Sequence, residues 1–482
     1  MINLKEHFRL SAIYTFFAAF PAVLQLIVYP LIEGEERLGP VDFGYLAITE
    51  AIVSVVFIVC TFGMVTGIAR FYYDHKESRE NYNKLVSTVL SGIIGRGMMM
   101  MGIAVVFAPF IGSLFSQPAL QNFIEYGPSL IIAGFSRSVL VTLLALYRNE
   151  KRLMIFITVS LLSGLLKAGF QLTGVLYLDM SFLGYVHGTA AGSLLVALGV
   201  IAWSYYNCGL HYDRSIRRSL SSFVTPLFFS DIILWGLLFA DRFFLLNKPG
   251  ELGIYDNAMK FAIGVQLIIQ GLSNAVQPEI YRYLKDGAVK RSAELKSLAN
   301  LFIAEATGII IIAVIPVMLF ITTFYETDLR LSSGLVTIVF VRFILTAQYK
   351  IFALPLMFAK KTRIFFFVNS AVLVLNLAIN WFLTPVIGYY GAITAFITAY
   401  FFQVILVSVL QHRIVPITWN RMKILYLPLA IVILAILLEM AKLFLDANPF
   451  LTAAIFVSFS LCMLGMLYRR EIRAQLGKLA GS

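Results

Sequence analysis

Eight cations lie inside long apolar stretches of this chain: Arg96, Arg137, Lys167, Arg242, Lys260, Arg342, Lys350 and Lys442. A cation at bilayer depth costs about 2.5 to 3.5 kcal/mol on insertion scales, so it normally faces a partner or a watery cavity. Acids share the same stretches, and depth sorts the two sets. Asp241, Arg242, Asp256 and Lys260 fall near the outer third of two consecutive segments and are expected to pair among themselves. Glu305 and Lys350 sit at similar distances from the cytoplasmic edge and can pair as well.

Arg96, Arg137 and Lys167 are different. They fall near the midplane of three consecutive segments, where the first half offers only Glu50, nearer the outer edge, as an acid. Arg342 occupies the same depth in the second half, with Asp231 the nearest acid by depth. These four are expected to line one central aqueous cavity that receives an anionic substrate. Two readings compete with this: capping of the cations by helix carbonyls and by hydroxyls such as Ser136, Ser138 and Ser163, or misplaced segment boundaries. A guanidinium presents a planar fork of donors that matches phosphate and a charge that does not titrate away, which makes pyrophosphate the leading ligand. Arg242, Lys260 and Lys350 are further candidates for substrate contact or ion pairing. Glu50, Asp231 and Glu305 are candidates for carrying a proton or a sodium ion, with neutralisation by one neighbouring cation as the competing role.

The elements that must position these groups follow from composition. With 482 residues, 60% hydrophobic and 13% charged, and a mean hydropathy of +0.85, the chain lies far outside the range of soluble domains. Its apolar segments recur about every 30 to 35 residues, each long enough to cross a hydrocarbon core of about 30 Å, and about 14 can be drawn. The second runs from Phe43 to Ala69 and the seventh from Ser222 to Asn247. The expected fold is an all-α integral membrane protein. Prolines within the spans, Pro21, Pro109, Pro226, Pro316 and Pro355, each remove a backbone hydrogen bond and permit a kink.

Assigning the loops alternately to two sides puts about 27 Lys and Arg on one side, with both termini, and about 3 on the other, so the rich side is cytoplasmic. The net charge of +12 therefore needs no nucleic acid to explain it, although the basic loops can touch anionic membrane lipids. The first segment is too long for a signal-peptide core and is expected to remain as a span. Cys60, Cys208 and Cys462 are scattered, as are His7, His75, His187, His211 and His412. We expect no disulfide, no metal site and no cofactor. No motif for hydrolysis, metalloprotease chemistry or nucleotide binding occurs, so neither an enzyme nor a self-contained ATP-driven pump is expected.

The two long basic loops Arg70 to Lys84 and Arg282 to Ser297 fall at equivalent places if the chain carries two copies of one six-helix unit. Asp42-Phe43-Gly44 and Glu251-Leu252-Gly253 also agree at the starts of spans 2 and 8. The expected organisation is an N-terminal lobe over 1–206, a cytoplasmic linker over 207–221, a parallel second lobe over 222–411, and two further spans with a cytoplasmic tail over 412–482.

The stretch from Phe43 to Asp74 resembles the second span and following loop of polysaccharide flippases. So does Asp241-Arg242-Phe243-Phe244-Leu245 followed by Gly253-Ile254-Tyr255-Asp256-Asn257-Ala258-Met259-Lys260, which is similar to the family's Asp-Arg ending span 7 and Gly-x-Tyr-x-x-Ala-x-Lys opening span 8. The resemblance points to the multidrug/oligosaccharidyl-lipid/polysaccharide (MOP) exporter superfamily. It implies a two-lobed bundle that flips a lipid-linked oligosaccharide, carried on undecaprenyl pyrophosphate, across the bacterial inner membrane by alternating access, in O-antigen, capsule or exopolysaccharide synthesis. Polymerase and chain-length proteins of such a pathway are the implied partners.

Other classes fit less well. Lipid II flippases carry adjacent charges in span 1 that Leu10 to Ile32 lacks, and multidrug extruders prefer cationic drugs that buried cations would repel. Major-facilitator carriers show a loop motif absent from Arg70 to Lys84, and polymerases need a sizeable outer loop. An ion-coupled drug or small-molecule exporter of the same superfamily is the runner-up.

Overall fold

Lipid leaves no water to satisfy backbone N–H and C=O groups, so a chain of this composition must close its hydrogen bonds within helices. The computed structural model describes residues 4–361 and 363–469, and among these it contains 14 helical spans long and apolar enough to cross a membrane. The expected number and class of elements are met. Residues from 470 on, read from the sequence as part of a cytoplasmic tail, lie outside the described residues.

The chain divides into two compact units, one up to Gly253 and one from Ile254. The first holds spans 1 to 7: Ile13–Ile32, Pro40–His75, Arg79–Val106, Phe123–Asn149, Leu153–Tyr177, Ser181–Cys208 and Arg214–Phe244. Span 7 packs against span 2, where the Trp235 indole N–H donates to the Ala51 carbonyl over 3.0 Å. Glycine permits one unusually close crossing. A Cβ on Gly44 would stand 2.0 Å from the Pro249 oxygen, and one on Gly253 would stand 1.9 Å from the Pro40 oxygen. The two glycines that the sequence aligns at the starts of spans 2 and 8 thus meet each other's chain.

Not every span is a continuous helix. Span 2 breaks between the helices Pro40–Thr61 and Met64–His75, although it contains no internal proline. Pro21, Pro226, Pro316 and Pro355, by contrast, lie within uninterrupted helices. Pro109 opens a short helix, Ala108–Ser113, just past the end of span 3.

The second unit contains span 8 (Pro249–Gly287) from Ile254 onward, followed by Ser292–Phe324, Asp328–Phe358, Arg363–Ile387, Tyr389–Ile414, Met422–Leu445 and Pro449–Leu467. Polar side chains tie its helices together. Tyr325 donates to Asn257 at 3.1 Å and Asn257 to Ser332 at 2.8 Å. Gln348 donates to the Ile424 carbonyl at 2.8 Å, in the π-helical turn Met422–Tyr426 that opens span 13.

Candidate functional site

The site begins at the break in span 2. Phe62 takes the left-handed backbone region (φ 49°, ψ 44°), and Gly63 follows at φ 70°. A helix end leaves its last carbonyls without intrahelical donors, and at membrane depth they need a substitute. Arg96 of span 3 supplies it. Its Nε donates to the Cys60 oxygen at 2.8 Å and its Nη2 to the Thr61 oxygen at 3.4 Å. The guanidinium carbon lies 5.5 Å from the centre of the Phe62 ring. A cation here also meets the negative end of the helix dipole. Phe62 in turn stacks on Phe228 of span 7, with ring centres 4.4 Å apart.

The same arginine lines a cavity of about 500 Å³ within the first unit. Phe62 and Met64 wall it on one side, Thr88, Ser91, Gly92, Gly95, Arg96 and Met99 of span 3 on another, and Tyr212, Arg217, Leu220, Ser221 and Thr225 on the third. Thr88 to Met99 extends about 16 Å along span 3 at 1.5 Å per residue, so the cavity follows the middle of that span, which covers Arg79–Val106. Arg217 donates to the Tyr212 hydroxyl and lies 5.8 Å from that ring centre. No acid is among the lining residues. Two guanidiniums, with hydroxyls of Thr88, Ser91, Ser221 and Thr225 and a phenol, give the cavity a cationic and polar lining, and guanidiniums are the groups that best match phosphate.

Arg217 and Tyr212 belong to the stretch that the sequence reading assigned to a linker. The helix of span 7 starts at Arg214, eight residues before the expected Ser222, and this earlier start gives Arg217 its helical position beside the cavity. The signal was Asp213. Its carboxylate accepts the backbone N–H groups of Ser215 at 2.8 Å and Ile216 at 3.0 Å, as a helix N-cap does. The Ile216 bond, followed by that of Ser215, holds the Asp213 carboxyl below the usual carboxylate range.

The other expected cations of the first unit stand apart from this cavity. Arg137 is exposed on span 4, 4.9 Å from the Phe57 ring centre and 3.5 Å from the Ser54 hydroxyl. Arg96 and Arg137 therefore both rest on the second half of the Pro40–Thr61 helix. Lys167 is half-buried on span 5, Asp231 half-buried on span 7 and Glu50 exposed on span 2. Of the hydroxyls considered as caps, Ser138 donates to the Phe57 and Gly134 carbonyls and Ser163 to that of Ser160, while the buried Ser136 hydroxyl makes no hydrogen bond among the described residues. Asp241 and Arg242 form a buried ion pair at 3.2 Å, with Arg242 also bonded to the Leu238 oxygen at 2.6 Å.

In the second unit Asp256 and Lys260 pair at 3.0 Å, both buried. Lys442 pairs with Glu439 at 2.6 Å and donates to the Gly334 oxygen. Lys350 takes Gln270 as its partner, while Glu305 is half-buried on span 9. Arg342 is only 2% exposed. It bonds the Tyr400 hydroxyl at 2.8 Å and lies about 5 Å from the ring centres of Phe396 and Tyr400, at 5.1 and 4.7 Å. Its charge is thus met by aromatic faces. Among the described residues no group of three or more His, Cys, Asp or Glu is placed to hold a metal ion.

Residues 37–331 match the family described as "Polysaccharide biosynthesis protein". That is well over half of the chain, and the chain belongs to this family. No curated protein is significantly similar in sequence. Among solved structures, the fold is similar to that of lipid II flippase MurJ in an inward closed conformation, at 17% identity over 95% of this chain and 99% of that one, with a TM-score of 0.68. It is also similar to an inward-facing multidrug resistance MATE family transporter of the MOP superfamily, at 15% identity over 83% of this chain and 94% of that one (TM-score 0.63). A third likeness is to a MOP superfamily transporter from Pyrococcus furiosus, described by the reversed polarity of its binding pocket, at 15% identity over 84% and 94% (TM-score 0.56). At these identities the likeness is one of fold alone, shared with the MurJ and MATE structures.

Proposed function

We propose that this member of the polysaccharide biosynthesis family moves a polyprenyl-pyrophosphate-linked oligosaccharide from the cytoplasmic to the outer leaflet of a bacterial inner membrane by alternating access. The observation that carries the reading is the pairing of Arg96 and Arg217 in one acid-free cavity of the first unit. A pyrophosphate brings at least two negative charges, which two guanidiniums can offset in a low-dielectric setting. The glycan needs hydroxyl and amide partners, and the lipid tail can stay in the bilayer. Arg137 and Lys167 serve as further cationic contacts within the first unit, whereas Arg342 is enclosed against Phe396 and Tyr400 in the second. Both termini face the cytoplasm on this reading, as the positive-inside rule requires. Glu50, Asp231 and Glu305 are the groups through which a proton or sodium gradient would drive the cycle, and polymerase or chain-length proteins would take the product.

Deletion of the gene followed by analysis of lipid-linked intermediates tests this. Loss of surface polysaccharide, with lipid-linked oligosaccharide trapped on the cytoplasmic leaflet, is expected. Unchanged polysaccharide together with drug hypersensitivity would assign the chain to ion-coupled multidrug export, the reading favoured by its likeness in fold to MATE transporters.

A further inference from the structure

We propose that Arg96 is a latch on the break in span 2, opened by the phosphate it binds. The proposal rests on the anionic-substrate reading and adds to it a role for Phe62 and for the carbonyls of Cys60 and Thr61. Three observations meet at this point. The guanidinium that faces the cavity is the same one that holds the two carbonyls. Phe62 stands in a left-handed backbone conformation, which a bulky side chain adopts only when its surroundings impose it. Those surroundings are the Phe228 ring at 4.4 Å and the Arg96 guanidinium at 5.5 Å.

A guanidinium has five N–H donors, and its bonds to an ionised oxygen are roughly twice as strong as bonds between neutral groups. A phosphate that takes the fork formed by Nε and Nη2 of Arg96 therefore displaces the Cys60 and Thr61 carbonyls that those N–H groups now hold. Once the guanidinium turns to the anion, the helix end loses its donors and Phe62 loses one of the two groups that hold it. The segment Met64–His75 is then free to move relative to Pro40–Thr61. Because Phe62 and Met64 line one wall of the cavity, and because a Cβ on Gly63 would already touch Val224 of span 7 at 3.1 Å, that motion reshapes the cavity around the anion. Phe62 is thus a positioning residue, acting through Arg96 and Phe228.

Hydrogen–deuterium exchange on the full chain in nanodiscs, with inorganic pyrophosphate as the probe and its binding measured on the same samples, tests the latch. Pyrophosphate should accelerate exchange of the amides from Thr61 to Gly67 by about tenfold, a shift of about 1.4 kcal/mol in the local opening equilibrium. Arg96→Gln should show fast exchange without pyrophosphate and no further response. Arg217→Gln leaves the latch intact, so it should bind more weakly yet reach the same acceleration at saturation, and it serves if Arg96→Gln fails to fold. Pyrophosphate that binds without changing exchange in this segment overturns the latch and leaves the anionic reading standing. Failure of the wild-type chain to bind pyrophosphate overturns both.

Discussion

The Nε of Arg96 lies 2.8 Å from the carbonyl oxygen of Cys60, so one side chain both closes the broken end of span 2 and charges the cavity beside it. Replacing it removes charge-assisted hydrogen bonds, each worth about 1.5 to 3 kcal/mol. Arg96→Gln should lower transport at subsaturating substrate by about 10- to 100-fold. Arg96→Lys, a point charge that cannot fork, should recover only part of it. Transport assays on variants matched for membrane abundance check this, and full activity of Arg96→Gln would contradict it.

Gly44 and Gly253 admit no side chain where spans 2 and 8 begin. A methyl group on either must push the chains apart, at a cost of about 1 to 3 kcal/mol for overpacking. Gly44→Ala and Gly253→Ala should each lower the thermal unfolding temperature in detergent, whereas Gly95→Ala, in open space, should change it little. Equal behaviour of the three would count against the crossing.

The buried pair Asp256–Lys260 predicts an asymmetric response. Asp256→Asn withdraws the carboxylate from a buried ammonium and should destabilise the protein by about 3 to 5 kcal/mol, while replacing both residues with apolar ones of similar size should cost less. Denaturation of the two variants side by side separates these outcomes. A double variant less stable than Asp256→Asn would contradict the account.

Asp213 carries a pH prediction for the start of span 7. Its carboxyl is held below the usual range by the N–H groups of Ile216 and Ser215, so its folded pKa is depressed. The cap therefore stabilises the helix start fully above the unfolded value of about 4 and is lost as pH falls through the folded value. Exchange of the amides of Ser215 and Ile216, corrected for intrinsic rates, should be constant from neutral pH down to about 5 and rise below about 4. Asp213→Asn should abolish that rise, and a wild-type profile that is flat throughout would contradict it.

Much of this was legible in the sequence, and the exceptions have physical causes. Hydropathy and length suffice for 14 spans because each must satisfy its own backbone in lipid. The depth of Arg96 left open both a cavity and capping by helix carbonyls, and its side chain lines a cavity while its Nε and Nη2 hold the Cys60 and Thr61 carbonyls. Depth placed Asp241, Arg242, Asp256 and Lys260 together as groups that pair among themselves, and the structure pairs Asp241 with Arg242 and Asp256 with Lys260. The break at Phe62 was legible only through the resemblance to polysaccharide flippases, in which a Phe/Leu-Gly turn follows the apolar helix of span 2, because phenylalanine by itself ordinarily avoids left-handed backbone. Arg217 was hidden because hydropathy ends a span where charge begins, although the N-cap Asp213 shows that the helix starts earlier. The setting of Arg342 depends on Phe396 and Tyr400 from span 12, a tertiary relation that no local pattern encodes.

The most direct test of the central claim is leaflet exchange of a purified polyprenyl-pyrophosphate oligosaccharide in proteoliposomes, read by the accessibility of its glycan to an added glycosidase. Wild-type protein should render the inner-leaflet pool accessible, and the double variant Arg96→Gln/Arg217→Gln, reconstituted to the same level, should leave it protected. Exchange by the double variant at the wild-type rate, or none by the wild type under an imposed proton or sodium gradient, would contradict the account.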